Sequence, residues 1–215
     1  MAHYKAIIFD LDGTLLDTLK DLQEGTNYAL RVNGMPERTL DEIRRFVGSG
    51  SRKLIERVIP GCEKEGVFEK VLEDYNFYYK DHCKDHTQPY PGIAEMLSEL
   101  KQKGYALGVV SNKPDFAVQE LIPEYFPDVF ASVSGERQGI AKKPAPDLIW
   151  EAMKKLNVTK EEAVYVGDSE VDLEAAENAG LPCISVSWGF KGREFLEQHN
   201  AAIIIESPAE ILAHV

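Results

Sequence analysis

The sequence predicts an α/β protein: a parallel sheet layered between helices, with an all-helical unit inserted after the first strand. Two observations carry this. Short apolar runs recur along the chain with amphipathic helical stretches between them, a pattern that builds a parallel sheet covered on both faces. About 70 residues of helical periodicity then separate the first run from the second, far more than a crossover needs.

The first run, residues 6–9, is uniformly apolar and stops at Asp10, where Asp12, Gly13 and Thr14 follow at once. From 18 to 86 no run reads as a strand; Leu22, Ala29, Leu30, Ile43, Leu54, Ile55, Val71, Leu72 and Tyr75 fall at helical spacings. Breaks are expected at 33–36 and 59–61, where Gly and Pro cluster, and the Pro- and Gly-rich stretch 87–92 reads as a stiff exit hinge. Beyond it Ile93, Met96, Leu97 and Leu100 lie at i, i+3, i+4, i+7, a helix closed by Gly104. Further strands are expected at 106–110, 129–133, 163–166, 183–186 and 202–205. The domains follow: a core from 1–16 and 88–215, and a helical insertion from 17–87.

Composition narrows the function. The formal net charge of −12 opposes broad binding to nucleic acid or an anionic membrane, and no run is long enough for a membrane span. Cys62, Cys83 and Cys183 are odd in number and far apart, which favours reduced thiols in a cytoplasmic protein. A small anionic substrate stays compatible with this acidity if a metal or a few placed Lys and Arg invert the field locally.

In an open parallel sheet, ligands gather outside the carboxyl ends of the strands. Asp10 and Asp12 follow the first strand and Ser111, Asn112 and Lys113 the second; Lys143 lies in the loop after the third and Asp168 ends the fourth, with Asp172 four residues on. Two carboxylates about 4 Å apart repel by roughly 4 kcal/mol at an effective dielectric near 20. Asp10 and Asp168 therefore need a proton, a lysine or a divalent cation between them, and hard oxygen ligands suit Mg²⁺. In such a set Asp10 can act as nucleophile and Asp12 as acid and base, while Ser111 and Lys143 hold phosphoryl oxygens.

Taken together, "FDLDGTLLDT", "VVSNK", "KKPAPD" and "VYVGDSEVDLEAAENAG" resemble the four motifs of the haloacid dehalogenase superfamily of phosphohydrolases, in order and over essentially the whole chain. The resemblance implies a Rossmann-like three-layer core under a helical cap, an aspartyl-phosphate on Asp10, and Mg²⁺ held by Asp10, Asp168 and the Asp12 backbone carbonyl. It also implies acid/base chemistry at Asp12, phosphate contacts at Thr14, Ser111 and Asn112, a phosphate-stabilising Lys143, and support from Asp172 through water or by orienting Lys143.

Within the superfamily, the intact Asp12 favours phosphoryl transfer over dehalogenation, and the lack of a histidine between Thr18 and Glu24 separates the chain from β-phosphoglucomutases. The cap segment "FVGSGSRKLIERVI" resembles the Gly-x-Gly loop of phosphoglycolate phosphatases, so Gly48, Ser49, Gly50 and Arg52 are expected near the substrate. The expected partner is a small phosphorylated metabolite, phosphoglycolate first, handled by a monomer or homodimer. Pyrophosphatase, nucleotidase, phosphomutase and non-catalytic binding readings stay open. His82, Cys83 and His86 have a spacing found in zinc sites but no complementary Cys/His cluster, and read as a polar helix end.

Overall fold

The computed structural model describes residues 4–59 and 66–215. The break expected at Pro60 and Gly61, and the thiol of Cys62, lie outside the described residues. Strand β1 (Ala6–Phe9) enters a two-residue strand β2 (Leu16–Asp17), which leads to helices α1 (Leu19–Val32), α2 (Leu40–Phe46), α3 (Gly50–Val58) and α4 (Val67–His82). The chain returns through β3 (Gln88–Pro89) to α5 (Ile93–Gln102), β4 (Ala106–Pro114), α6 (Asp115–Tyr125) and β5 (Ser132–Glu136). Next come α7 (Asp147–Leu156), β6 (Ala163–Gly167), α8 (Glu170–Ala179), β7 (Cys183–Val186), α9 (Arg193–Gln198) and β8 (Ile204–Ile205).

The six-stranded sheet has the order β5-β4-β1-β6-β7-β8, and every pairing in it is parallel. Alternate residues of β1 serve opposite layers, as the pleat requires. Ile7 and Phe9 join Met96, Leu97 and Leu100 of α5 and Leu121 of α6, while Ala6 and Ile8 join Leu148 and Ala152 of α7 and Ala176 of α8. Burial on both faces explains the unbroken apolar run. It also makes β1 the central post from which Asp10 projects.

Three strands differ from expectation by two residues or more, the last being only Ile204–Ile205 against the expected 202–205. The third strand begins at Ser132 rather than residue 129, because Asp128 takes a left-handed conformation (φ 58°) and Phe130 turns edge-on to Phe9 and Phe126 instead of extending. The serines that do pair, Ser132 with Gly108 and Ser134 with Val110, are buried but carry little strand signal in sequence. Strand β4 runs past residue 110 to Pro114 through a register shift, and that irregular end holds Ser111, Asn112 and Lys113.

Helices α1–α4 pack into one another and onto the same core cluster as β1. Gly25 sits mid-helix in α1 because α4 crosses there: a Cβ would lie 3.1 Å from Tyr79 and 3.2 Å from Tyr75. Thr39 and Glu42 form a reciprocal cap on α2. The two crossings between sheet and insertion run side by side, β2 antiparallel to β3, with Leu16 opposite Pro89 and Asp17 opposite Gln88. Buried Asp21 secures this hinge by accepting from the backbone N–H of His86 (2.9 Å) and Thr87 (2.8 Å) and from the Thr87 hydroxyl (2.7 Å). His82 pairs with Asp85 and His86 faces Glu24 at a polar helix end, while Cys83 is buried in the hydrophobic core. No helix among the described residues is long and apolar enough to cross a membrane.

Candidate active site

Asp10 leaves β1 still registered with the sheet, its N–H donating to the Val166 carbonyl of β6 at 2.9 Å. The chain then coils, Leu15 and Leu16 both donating to the Leu11 carbonyl at 3.0 Å, and this tight turn presents Asp12 beside Asp10. Gly13 is required at the turn: its φ is +86°, and a Cβ would sit 2.5 Å from Asp168 Oδ2. Thr14 is placed differently from expectation. It is buried beneath Trp188, whose indole N–H donates to the Thr14 carbonyl at 3.0 Å, and it does not line the cavity described below.

Lys143 reaches the carboxyl end of β1 from the loop after β5. Its buried ammonium lies 2.8 Å from Asp10 Oδ1 and donates to Asp172 Oδ1 (2.7 Å) and the Tyr165 hydroxyl (2.9 Å). Asp172 is held in turn by its Oδ2, which accepts from the N–H groups of Asp168 (3.2 Å) and Ser169 (3.1 Å) and the Ser169 hydroxyl (2.6 Å) while capping α8. With both oxygens engaged, Asp172 orients Lys143. Asp168 Oδ2 accepts the Phe190 N–H at 2.7 Å, and Gly189 lets that segment approach, since a Cβ there would collide with the Asp168 side chain.

The electrostatics follow from burial. Loss of water, then the charge of Asp172 and that of Asp12, push the Asp10 carboxyl up to about 7 despite the opposing pull of Lys143. Burial, with Asp172 and Asp10 nearby, raises Asp168 well above the ordinary carboxyl range. Burial alone would lower Lys143, but Asp10 and Asp172 outweigh it and hold the ammonium charged.

A second set of contacts surrounds Asp12 and was not evident from sequence. Its Oδ1 accepts from the Thr18 hydroxyl at 2.8 Å and from Lys113 Nζ at 2.9 Å, while Lys113 also donates to the Tyr79 hydroxyl of α4 at 2.6 Å. Ser111 and Lys113 lie two residues apart in β4, so strand alternation is the signal that would have grouped them. Asn112 bridges sheet and insertion, donating to the carbonyls of Lys143 (3.0 Å) and Gly48 (3.2 Å).

A cavity of about 40 Å³ lies between sheet and insertion, walled by Asp10, Asp12, Ser111, Asn112 and Lys113 below and by Leu22, Val47, Gly48, Gly50, Ser51, Leu54 and Tyr75 above. Gly48 and Gly50 therefore reach the site as expected. Ser49 and Arg52 line a neighbouring groove with Lys53 and Lys142 instead, and the Arg52 guanidinium stacks over Phe68, 4.8 Å from the ring centroid. Ser49 stands at the N-cap of α3 and Arg52 in its first turn, and the groove they line also reaches Lys143.

Asp10, Asp168 and Asp172 bring carboxylate oxygens within 4.8 Å of one another. Asp172 is committed to hydrogen bonds, and Asp10 Oδ1 lacks a well-directed one. Two buried carboxyls raised by desolvation, both hard oxygen donors, fit a divalent cation. Without metal, Asp10 makes stability fall as pH rises from 3.8 towards about 7, because over that interval the unfolded chain gives up the proton that the folded one retains. About three pH units at roughly 1.4 kcal/mol each set the loss at up to about 4 kcal/mol. Thermal unfolding of wild type and Asp10→Asn in chelator should show the wild type losing ground across this interval; parallel curves would remove the assignment.

A sequence profile of the haloacid dehalogenase-like hydrolases matches residues 7–186. The phosphoglycolate phosphatase of Mesorhizobium japonicum is 31% identical over 202 residues, covering 92% of this chain and 89% of that protein. The phosphoglycolate phosphatase of Haemophilus influenzae (strain 86-028NP) is 31% identical over 217 residues and 97% of each chain. A crystal structure of a candidate phosphoglycolate phosphatase from Lactobacillus delbrueckii subsp. bulgaricus superposes with a TM-score of 0.92 at 39% identity, covering 97% of each chain. With the Asp10–Lys143–Asp172 arrangement at the strand ends, these matches establish that the chain belongs to the haloacid dehalogenase-like hydrolase family.

Proposed function

We propose that the protein is a Mg²⁺-dependent phosphatase that hydrolyses a small phosphate monoester, phosphoglycolate foremost, through a phosphorylated Asp10. The observation that carries the reading is the buried Lys143 ammonium shared by Asp10 and Asp172, with Asp168 facing the same point. Residues 17–87 act as the cap over a core of 1–16 and 88–215, closing on the paired strands β2 and β3. Asp10, Asp168 and the Asp12 backbone carbonyl would hold Mg²⁺, which supplies positive charge to keep the carboxylates ionised and to draw in the phosphoryl group.

Asp10 attacks phosphorus as the bond to the alcohol oxygen breaks, and Asp12 delivers a proton to that oxygen. Thr18 and Lys113 both bind Asp12 Oδ1, so Oδ2 is the atom that carries the proton. Asp12 then takes a proton from water, whose oxygen attacks the aspartyl-phosphate, freeing inorganic phosphate and regenerating Asp10. The Ser111 hydroxyl and Lys143 ammonium hold the phosphoryl oxygens in both steps.

The lining supports a small substrate: Leu22, Val47, Leu54 and Tyr75 face Asp10 and Ser111 across a cavity of about 40 Å³. Phosphate release should be measured for phosphoglycolate, pyrophosphate, nucleoside monophosphates and hexose phosphates, with Mg²⁺ and with chelator. Phosphoglycolate should give the highest kcat/KM, and chelator should stop turnover reversibly. Silence across the panel with Mg²⁺ present, or sugar-phosphate isomerisation outrunning hydrolysis, would sink the reading.

A further inference from the structure

The cavity that holds Asp10 contains a cation whose purpose the phosphoryl chemistry leaves open. Lys113 lies on β4 two residues beyond Ser111, its side chain 1% exposed, and it is the one ammonium among the described residues lining the cavity. An ammonium has three donors. Asp12 Oδ1 takes one at 2.9 Å and the Tyr79 hydroxyl another at 2.6 Å, so one N–H remains. Across the cavity Gly48, Gly50 and Ser51 form the start of α3, where no side chain caps the first turn. The rest of the upper wall is apolar: Leu22, Val47, Leu54 and Tyr75.

We propose that Lys113 is the specificity-determining residue of this site, using its remaining donor to bind a carboxylate on the organic part of the ester, one or two carbons from the phosphate. The wall explains why a carboxylate and not a neutral group is selected. A hydroxyl would accept that N–H only as a neutral group and an alkyl end would leave it unpaired beside an apolar wall, whereas a carboxylate accepts from Lys113 with charge assistance, about twice as strongly. The setting suits a short substituent: Leu22, Val47, Leu54 and Tyr75 stand over Lys113, and the Asn112–Gly48 hydrogen bond ties cap to sheet beside it. Tyr79, contributed by the insertion, holds the Lys113 ammonium in place, so the carboxylate contact is complete only with the cap seated.

The inference rests on the phosphatase reading, and the test separates the two. Steady-state kinetics with Mg²⁺ are compared for phosphoglycolate and 2-hydroxyethyl phosphate, which share the ester and differ in the carboxylate. Wild type should prefer phosphoglycolate by roughly 100-fold or more in kcat/KM, the scale on which sites built around a polar partner reject a substrate lacking it. In Lys113→Met that preference should collapse to within about tenfold, mainly through KM, and Lys113→Arg should recover part of it. Thr18→Val, which removes a hydroxyl bonded to Asp12 and not to Lys113, should slow both esters alike and keep the preference. Equal loss on both esters in Lys113→Met, with a folded variant by circular dichroism, overturns the proposal by reducing Lys113 to an anchor for Asp12. Wild type without preference overturns it whether or not the variant folds. Hydrolysis of neither ester by wild type overturns this proposal, and turnover of another ester in the wider panel then shows that the phosphatase reading survives it.

Discussion

Asp10→Asn will lower kcat/KM for phosphate-ester hydrolysis by on the order of 10⁴-fold or more, about 5 kcal/mol of transition-state stabilisation, while leaving the fold intact. An amide oxygen is a poor nucleophile toward phosphorus and cannot form the acyl phosphate, so this substitution removes the covalent route rather than slowing it. The substitution suits the fold. Asp10 is buried beside Lys143 with its Oδ1 lacking a well-directed hydrogen bond, and Asn keeps its volume without the charge whose burial raises the carboxyl to about 7. Chelated Asp10→Asn should therefore melt no lower than wild type at neutral pH and above. Acid-quench trapping of labelled phosphate should find covalent label in wild type and none in the variant. Activity within tenfold of wild type would eliminate Asp10 as nucleophile.

Lys143→Met will be costly twice over. The ammonium touches Asp10 at 2.8 Å and Asp172 at 2.7 Å with its side chain 1% exposed, so methionine fills the volume but leaves two buried carboxylates facing each other. Removing one partner from a buried ion pair costs about 3–5 kcal/mol. The variant should show that loss in chemical denaturation at neutral pH, and Mg²⁺ should restore part of it by binding the exposed charge. Turnover should fall by at least about 100-fold, the effect of losing one preorganised donor to the phosphoryl oxygens. A Lys143→Met protein as stable as wild type in chelator would show that the triad is not the electrostatic centre of the site.

Much of this architecture is legible in sequence because β1, β6 and β7 are buried on both faces and so read as uninterrupted apolar runs. Asp10, Lys143 and Asp168 were equally legible, since each stands at a strand end or in the adjoining loop, where a charged residue has few structural uses. What escaped detection depends on long-range geometry. Lys113 follows Ser111 and Asn112 in plain view, yet its role depends on the β4 register shift and on Tyr79, 34 residues earlier on another element. Arg52 shows how far side-chain direction depends on the fold: it sits next to the glycine loop, and the helical turn after Gly50 carries it over Phe68 into the groove that Lys143 also lines. Strand β5 lies three residues beyond its expected start because buried serines at an edge position carry less signal than Val129 and Phe130, which pack without extending.

The pairing of β2 with β3 has a consequence for how the chain folds. Asp17 and Gln88 are cross-strand partners, so the core sees its own polypeptide depart and come back one strand spacing apart, about 4.8 Å. Closing a flexible loop of that length would tax the core with an entropy that grows as the logarithm of the number of residues. Here α1 and α4, which begin and end the insertion, lie against each other with Gly25 at their crossing, and Asp21 ties the two ends at Thr87. Once those helices pair, the intervening residues no longer behave as a loop: to the assembling sheet, the whole insertion is equivalent to a tight hairpin turn between Asp17 and Gln88.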